Sequence, residues 1–194
     1  MKIKSVVFSL FLCFTFLGCD VMQQLGGAYN MTQCKYSYNS ISQLNLSGMD
    51  LSKGISLAYI PVITSLLTGQ ANSLPLKFNL NLDVENPNLS EALLHGIEYM
   101  LDIDGISFTS GSLSQSLSIP SGGKNVLPLT IGMDLKTLMK GETANAVTSI
   151  VKNFIGMGNQ KSNVTLQIKP TFMIGGRPVA SPVYIPVSFT FGGA

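Results

Sequence analysis

Leu76-Lys77-Phe78-Asn79-Leu80-Asn81-Leu82-Asp83-Val84-Glu85 decides the fold class. Apolar and polar residues alternate along this whole stretch without an error. Successive side chains of a strand point to opposite faces, so it has one buried face and one wet face. The same period recurs downstream. Ile97, Tyr99, Leu101 and Ile103 alternate with Glu98, Met100, Asp102 and Asp104. Asp104-Gly105 then predicts a tight hairpin turn into Ile106-Ser107-Phe108. Val164, Leu166, Ile168 and Phe172 continue the alternation, as do Val183, Ile185, Val187, Phe189 and Phe191. Segments 113–119 and 125–133 are shorter versions, and the β pattern begins at Tyr36.

Strands with a single wet face belong to antiparallel sheets, and two such sheets bury their apolar faces against each other. The expected fold is mainly β, an antiparallel β-sandwich of immunoglobulin or fibronectin-III-like type with one or two added helices. Pro128, Pro170, Pro182 and Pro186 lie in or beside strands. Proline cannot donate to a ladder, so these positions predict edges or bulges. Two stretches break the β pattern. Asp134 caps a turn holding Leu135, Leu138 and Met139, and a helix follows from about 142 to 155. Val147, Ile150, Val151, Phe154 and Ile155 fall on one face of it, and Gly156 and Gly158 stop it. Within 55–69, Pro61 starts a short helix carrying Ile63, Leu66 and Leu67. Both stretches are expected to close the ends of the sandwich.

The amino terminus reads as an address. Met1-Lys2-Ile3-Lys4 is positive, and Val6 to Leu17 is an apolar run too short to span a bilayer. Phe16-Leu17-Gly18-Cys19 resembles a bacterial lipobox, with Phe16 where Leu is usual. The resemblance implies that Cys19 is lipidated and becomes the new amino terminus. Residues 20–33 are polar, contain glycine and show no period, so they predict a flexible tether. The expected organisation is a lipoprotein signal peptide over 1–18, lipidated Cys19 and tether over 19–33, and a β-sandwich domain over 34–194. Cys34 is then a lone thiol with no intramolecular partner, read as a small buried side chain rather than a reactive group.

Charge excludes one class of partner. The chain has 12 Lys and Arg and 10 Asp and Glu, and removal of Lys2 and Lys4 balances them. The remaining cations are scattered along the sequence, without the clustering that nucleic-acid binding needs. The partner expected instead is a membrane, reached through the amino-terminal lipid.

A family resemblance rests on the residues after the deciding strand. Asn86-Pro87-Asn88 at a strand end is followed by Gly96 to Gly105 and Ile106 to Gly111, with their glycine turn. Ser118-Ile119-Pro120-Ser121-Gly122-Gly123-Lys124 then leads into Val126-Leu127-Pro128-Leu129. In this order the elements resemble the late-embryogenesis-abundant type 2 family, also called the water-stress and hypersensitive-response domain, over about residues 36 to 172. Region 52–73 departs from the family pattern as an insertion. The physics of the tripeptide stands without the family. Pro87 holds Asn86 extended and removes an amide from the ladder. Asn88 is placed to cap the next turn, and Glu91 to complete a capping box before Ala92-Leu93-Leu94. Asn86, Pro87, Asn88 and Gly105 are therefore expected to be structural positions.

Catalytic signals are sparse. His95 is the single histidine, so no zinc site with two histidines can form. No Gly-x-Ser-x-Gly elbow or phosphate-binding loop occurs. Ser121-Gly122-Gly123-Lys124 and Ser149-Ile150-Val151-Lys152 match Ser-x-x-Lys without the partner motifs of penicillin-recognising enzymes. Asp102-x-Asp104-Gly105 is a fragment of a calcium loop, better read as the hairpin turn. The expectation is a non-enzymatic envelope lipoprotein, with no catalytic residue, metal or cofactor, on the periplasmic face of the outer membrane. The resemblance implies stress protection or envelope maintenance. Two alternatives stand beside it, an apolar-ligand or lipid carrier and a partner-binding assembly module.

Overall fold

A computed structural model describes residues 20–193. Cys19 and the signal segment lie outside the described residues. Helix α1 covers residues 20–33. Strands β1 (Lys35–Leu46) and β2 (Met49–Asp50) follow. A 3-10 turn at Leu57–Tyr59 leads into α2 (Ile60–Ser65), with Pro61 in its first turn. Then come β3 (Pro75–Glu85), β4 (Ala92–Leu94), β5 (Gly96–Ile103), β6 (Ile106–Leu113), β7 (Leu117–Ile119) and β8 (Lys124–Asp134). Helix α3 (Thr143–Phe154) precedes β9 (Lys161–Ile174), β10 (Arg177–Ala180) and β11 (Ile185–Gly192).

Two antiparallel sheets form the body. One has the order β2-β1-β3-β8, the other β10-β9-β5-β6 with β11 also on β9. The deciding strand is β3, central in its sheet. Its apolar residues Leu76, Phe78, Leu80, Leu82 and Val84 are all buried, facing Leu101, Ile103, Val164 and Leu166 of the other sheet within one core. β4 and β7 pair apart from both sheets. The prolines sit where their missing amides are tolerated. Pro128 is on β8, an edge, and Pro186 is on β11, an edge. Pro170 is on central β9, in the gap where β10 has ended and β11 has not begun, and its carbonyl accepts from Ser181 N–H at 2.7 Å.

The two ends of the sandwich are closed by different elements. α1 and the connections after β3, β7 and β9 lie at one end, here the amino-terminal end. α2, α3 and the connections after β1 and β8 lie at the opposite end. At that opposite end Asp134 caps the 3-10 turn Leu135–Thr137 by accepting from Lys136 N–H. α3 buries Val147, Ile150 and Val151, the face its spacing predicts.

Two expectations are overturned. Residues 20–33 are a docked helix rather than a tether: Gly27, Ala28, Asn30 and Met31 are buried in the domain. Gly26 and Gly27 lower intrinsic helix propensity, but tertiary packing overrides a propensity of this size. The capping box at Asn88 is absent too, because Ala92–Leu94 is strand β4. Glu91 instead accepts a hydrogen bond from Ser118 Oγ on β7.

Candidate functional site

The site is built at the end of β3. Pro87 has no amide to continue a ladder, so the strand stops at Glu85 and the chain turns. Asn86 N–H still donates to Gly123 O at 2.9 Å, which holds the corner on the 120–123 turn. The Asn86 side chain is 0% exposed and fully used. Its amide nitrogen lies 2.9 Å from Ser90 O, 3.0 Å from Ile119 O and 3.1 Å from Pro120 O. Its oxygen accepts from Asn88 N–H at 3.0 Å and from Asn88 Nδ2 at 2.8 Å. Burying an amide is tolerated only when its donors and acceptors find partners, and here both do.

Asn88 carries the network into α1. Its Nδ2 also donates to Asn30 O at 3.1 Å, and Ser121 Oγ donates to Asn88 O at 2.9 Å. Buried Asn30 answers from the helix, donating to Ser90 Oγ at 2.7 Å and to Glu91 O at 2.9 Å. Gly27 lets the helix approach: a Cβ there would meet Leu93 Cδ1 at 2.7 Å. At the helix start, Gln24 Oε1 accepts from Gly175 N–H at 2.8 Å, reaching the β9–β10 turn. At its end, burial pushes the Cys34 thiol up to about 11, and its Sγ lies 3.3 Å from Asn30 O. Burial also raises Tyr36, with the nearby Cys34 a smaller cause, and its hydroxyl donates to Met31 O at 2.9 Å.

The outward side of α1 is apolar as well. Met22 is 70% exposed, Leu25 44% and Tyr29 66%. They recur at i, i+3 and i+7, which places them on one helix face. Leu89, 98% exposed, stands on the corner between the two residues that bind Asn30.

A second concave feature lies along the seam between β1 and β11. Tyr38 stacks on Phe189 with ring centroids 4.3 Å apart. Phe154 of α3 packs on Phe78 at 4.7 Å and on Phe191 at 5.0 Å. The space left inside, among Phe78, Leu101, Val164 and Phe189, is only about 10 Å³, roughly one water. Outside it an open cleft of about 340 Å³ has Ile41, Phe154 and Phe191 as its floor and Asn39, Ser40 and Ser52 on its rim.

The other positions singled out from the sequence are dispersed. Asp104 (φ 50°) and Gly105 (φ 79°) form the β5–β6 turn, and Asp104 Oδ1 accepts from Asn163 N–H at 2.8 Å. His95 is exposed between β4 and β5, with its Nδ1 3.5 Å from Ser116 Oγ. Ser149 donates to its own helix at Asn145 O. Among the described residues no group of three His, Cys, Asp or Glu is placed to hold a metal ion. No helix among them is long and apolar enough to cross a membrane. Sequence reasoning missed Asn30. The spacing of Gly27, Ala28, Met31 and Cys34 was the available signal for the helix that carries it.

The fold and this corner define a class: a two-sheet antiparallel β protein whose amino-terminal helix is pinned across one end. A family model described as late embryogenesis abundant protein matches residues 81–188, and the chain belongs to that family, LEA_2. The match covers the corner, most of the sheet built on β9 and β5, and β8 with the last residues of β3 from the other sheet. It leaves α1, β1, β2, the 52–73 insertion and the first part of β3 outside. Three solved structures are similar to the chain. One is a solution structure of a protein from Arabidopsis thaliana, at 11% identity over 81% of this chain and 80% of that one, TM-score 0.45. Another is a crystal structure of a protein from Archaeoglobus fulgidus, at 13% identity over 81% and 98%, TM-score 0.38. The third is a solution structure of a candidate late embryogenesis abundant protein, at 17% identity over 96% and 85%, TM-score 0.39. No curated protein sequence matches the chain.

Proposed function

We propose that the protein is a non-enzymatic lipoprotein of a bacterial cell envelope, held by a lipid on Cys19, whose LEA_2 domain serves stress protection or envelope maintenance on the periplasmic face of the outer membrane. The observation that carries this reading is Phe16-Leu17-Gly18-Cys19 after an apolar run, directly before a helix docked on the domain. Family membership supports the protective role, and the polar groups of the corner are engaged with one another rather than aimed into a cleft. Metabolic labelling with an acyl probe tests the anchor: wild type takes label and Cys19→Ala does not. Label retained in Cys19→Ala overturns the reading. Survival of a deletion strain after drying and osmotic shock tests the role, and survival equal to wild type counts against it.

One observation favours a second reading, an apolar-ligand carrier. The seam cleft offers an aromatic floor and a polar rim, the composition of a small-ligand site. The narrow space between the sheets directs this reading to the seam rather than the interior. Native mass spectrometry of protein extracted from membranes tests it. A co-purifying lipid lost in Phe191→Ser supports the carrier, and a bare protein mass removes it.

A further inference from the structure

We propose that the outer face of α1 lies flat in the headgroup–acyl boundary of the bilayer that holds the Cys19 lipid, so that the domain is docked on the membrane rather than suspended from it. The proposal rests on the anchor reading above. Its own observation is that α1 is apolar on two sides. The inner side buries Gly27, Ala28 and Met31, while Met22, Leu25 and Tyr29 share the outer side. Large exposed apolar side chains recurring along one helix face are the pattern of an interaction surface. Leu89 adds to it, held in solvent by a corner whose neighbours on both sides are hydrogen-bonded to Asn30.

The position of the anchor selects the occupant. Cys19 directly precedes the first described residue of α1, so no slack separates the acyl chains from the helix. At 1.5 Å rise per residue, Tyr29 stands only about 14 Å along the axis from Asp20, the residue that follows Cys19 in sequence. A helix lying in the plane brings Met22, Leu25 and Tyr29 to the boundary together, whereas an upright one lifts Tyr29 clear of it. Residues 21–33 contain no Lys, Arg, Asp or Glu, so the face itself carries no charge. The nearby carboxylates are exposed Asp20 at the helix start and exposed Glu91 beside Met22, which must stay at the headgroup level. An aromatic ring with a polar tip, as in Tyr29, suits the headgroup level. A second copy of the chain fits less well, because a stable dimer buries on the order of 1,200 Å² or more and this stripe is four side chains. The stripe would bind lipid weakly alone, but the covalent anchor makes its contact intramolecular.

The chain has no tryptophan, so one introduced residue reports cleanly. Full-length lipidated Tyr29→Trp is floated with phosphatidylethanolamine–phosphatidylglycerol vesicles, with and without brominated acyl chains. Leu57→Trp, at a position 84% exposed at the opposite end, is the control. The expected result for Tyr29→Trp is a blue-shifted indole emission quenched about two-fold or more by the brominated lipid, with the emission of Leu57→Trp the same in both vesicle types. Slow reaction of Cys34 with a thiol reagent verifies that α1 stays docked in the variant. Equal emission of Tyr29→Trp from both vesicle types, in protein that co-floats, overturns the proposal and leaves the anchor standing. Failure of both variants to co-float overturns the anchor itself, and the proposal with it.

Discussion

The two ends of the sandwich are closed by opposite means. The amino-terminal end is joined by side-chain amides: Asn86, Asn88 and Asn30 link β3, the 120–123 turn, β4 and α1 through short directional bonds. The opposite end is closed mainly by apolar packing, with Ile63 of α2, Leu74, Leu135 and the inner face of α3 buried and the Phe154 ring set between Phe78 and Phe191. A buried amide contact, from Asn153 Nδ2 to Ser162 Oγ at 2.9 Å, accompanies it. Buried amide networks fix one arrangement, because each partner has few alternatives. Apolar contacts are non-directional and tolerate sliding. The difference places geometric precision at the end that carries α1.

The largest effect is expected from inverting the hydrogen-bond sense at the corner. Asn86→Asp replaces a donor with a carboxylate facing the carbonyls of Ser90, Ile119 and Pro120. A buried unpaired charge of this kind costs about 4 kcal/mol. Urea unfolding at pH 7 reads it, and a loss below about 1 kcal/mol would show that the corner does not hold the end closed. The deficit shrinks as pH falls and the new carboxyl takes up a proton. At the opposite end, Ile63→Ala costs about 3 kcal/mol, the range for deleting a buried aliphatic side chain. The two variants separate in thiol kinetics: Asn86→Asp speeds labelling of Cys34 and Ile63→Ala does so only through global unfolding. Asn30→Ala is smaller, about 1.5 kcal/mol, since it removes two donors from one helix. Its signature is faster Cys34 labelling out of proportion to that loss.

How much of this the sequence shows depends on what stabilises each part. Period-two burial of Leu76 to Val84 and of Ile97 to Ile103 is a local consequence of strand geometry, so the strands and the Asp104–Gly105 turn are legible. α3 is legible for the same reason at the helical period. α1 is not, because Gly26 and Gly27 argue against a helix locally, and what fixes it lies far along the chain, at Leu93, Ser90 and Gly175. The tripeptide at 86–88 is visible as a strand stop. That Asn86 is an internal connector is visible only when the carbonyls of 119 and 120 are brought beside it. β4 is misread as a helix start because Asn88 and Glu91 have cap-like spacing, while their real partners, Asn30 and Ser118, are elsewhere.

The smallest predicted effect compares one carboxylate near each end. At the opposite end, Asp134 is held below the ordinary carboxylate range, first by the Ser73 hydroxyl and then by the amides of Leu74 and Lys136. Toward the amino-terminal end, Asp83 is lowered first by its hydrogen bond to Lys124, at 2.7 Å, and then by Asn39 at 2.9 Å. Both pKa values are depressed in the folded state. Each group therefore contributes stability that is present above the unfolded value, about 3.9, and lost as pH falls through the folded one. Asp134→Asn and Asp83→Asn should each flatten the loss of stability below about pH 4. Salt tells them apart. The Lys124 ammonium is largely exposed, and its attraction to Asp83 weakens in about 0.5 M sodium chloride. The amide and hydroxyl donors around Asp134 are neutral dipoles at contact distance, which salt screens little. In high salt the acid slope of Asp83→Asn should approach that of wild type, while that of Asp134→Asn stays flatter. Equal salt responses would show that the cation beside Asp83 adds nothing to its hydrogen bonds.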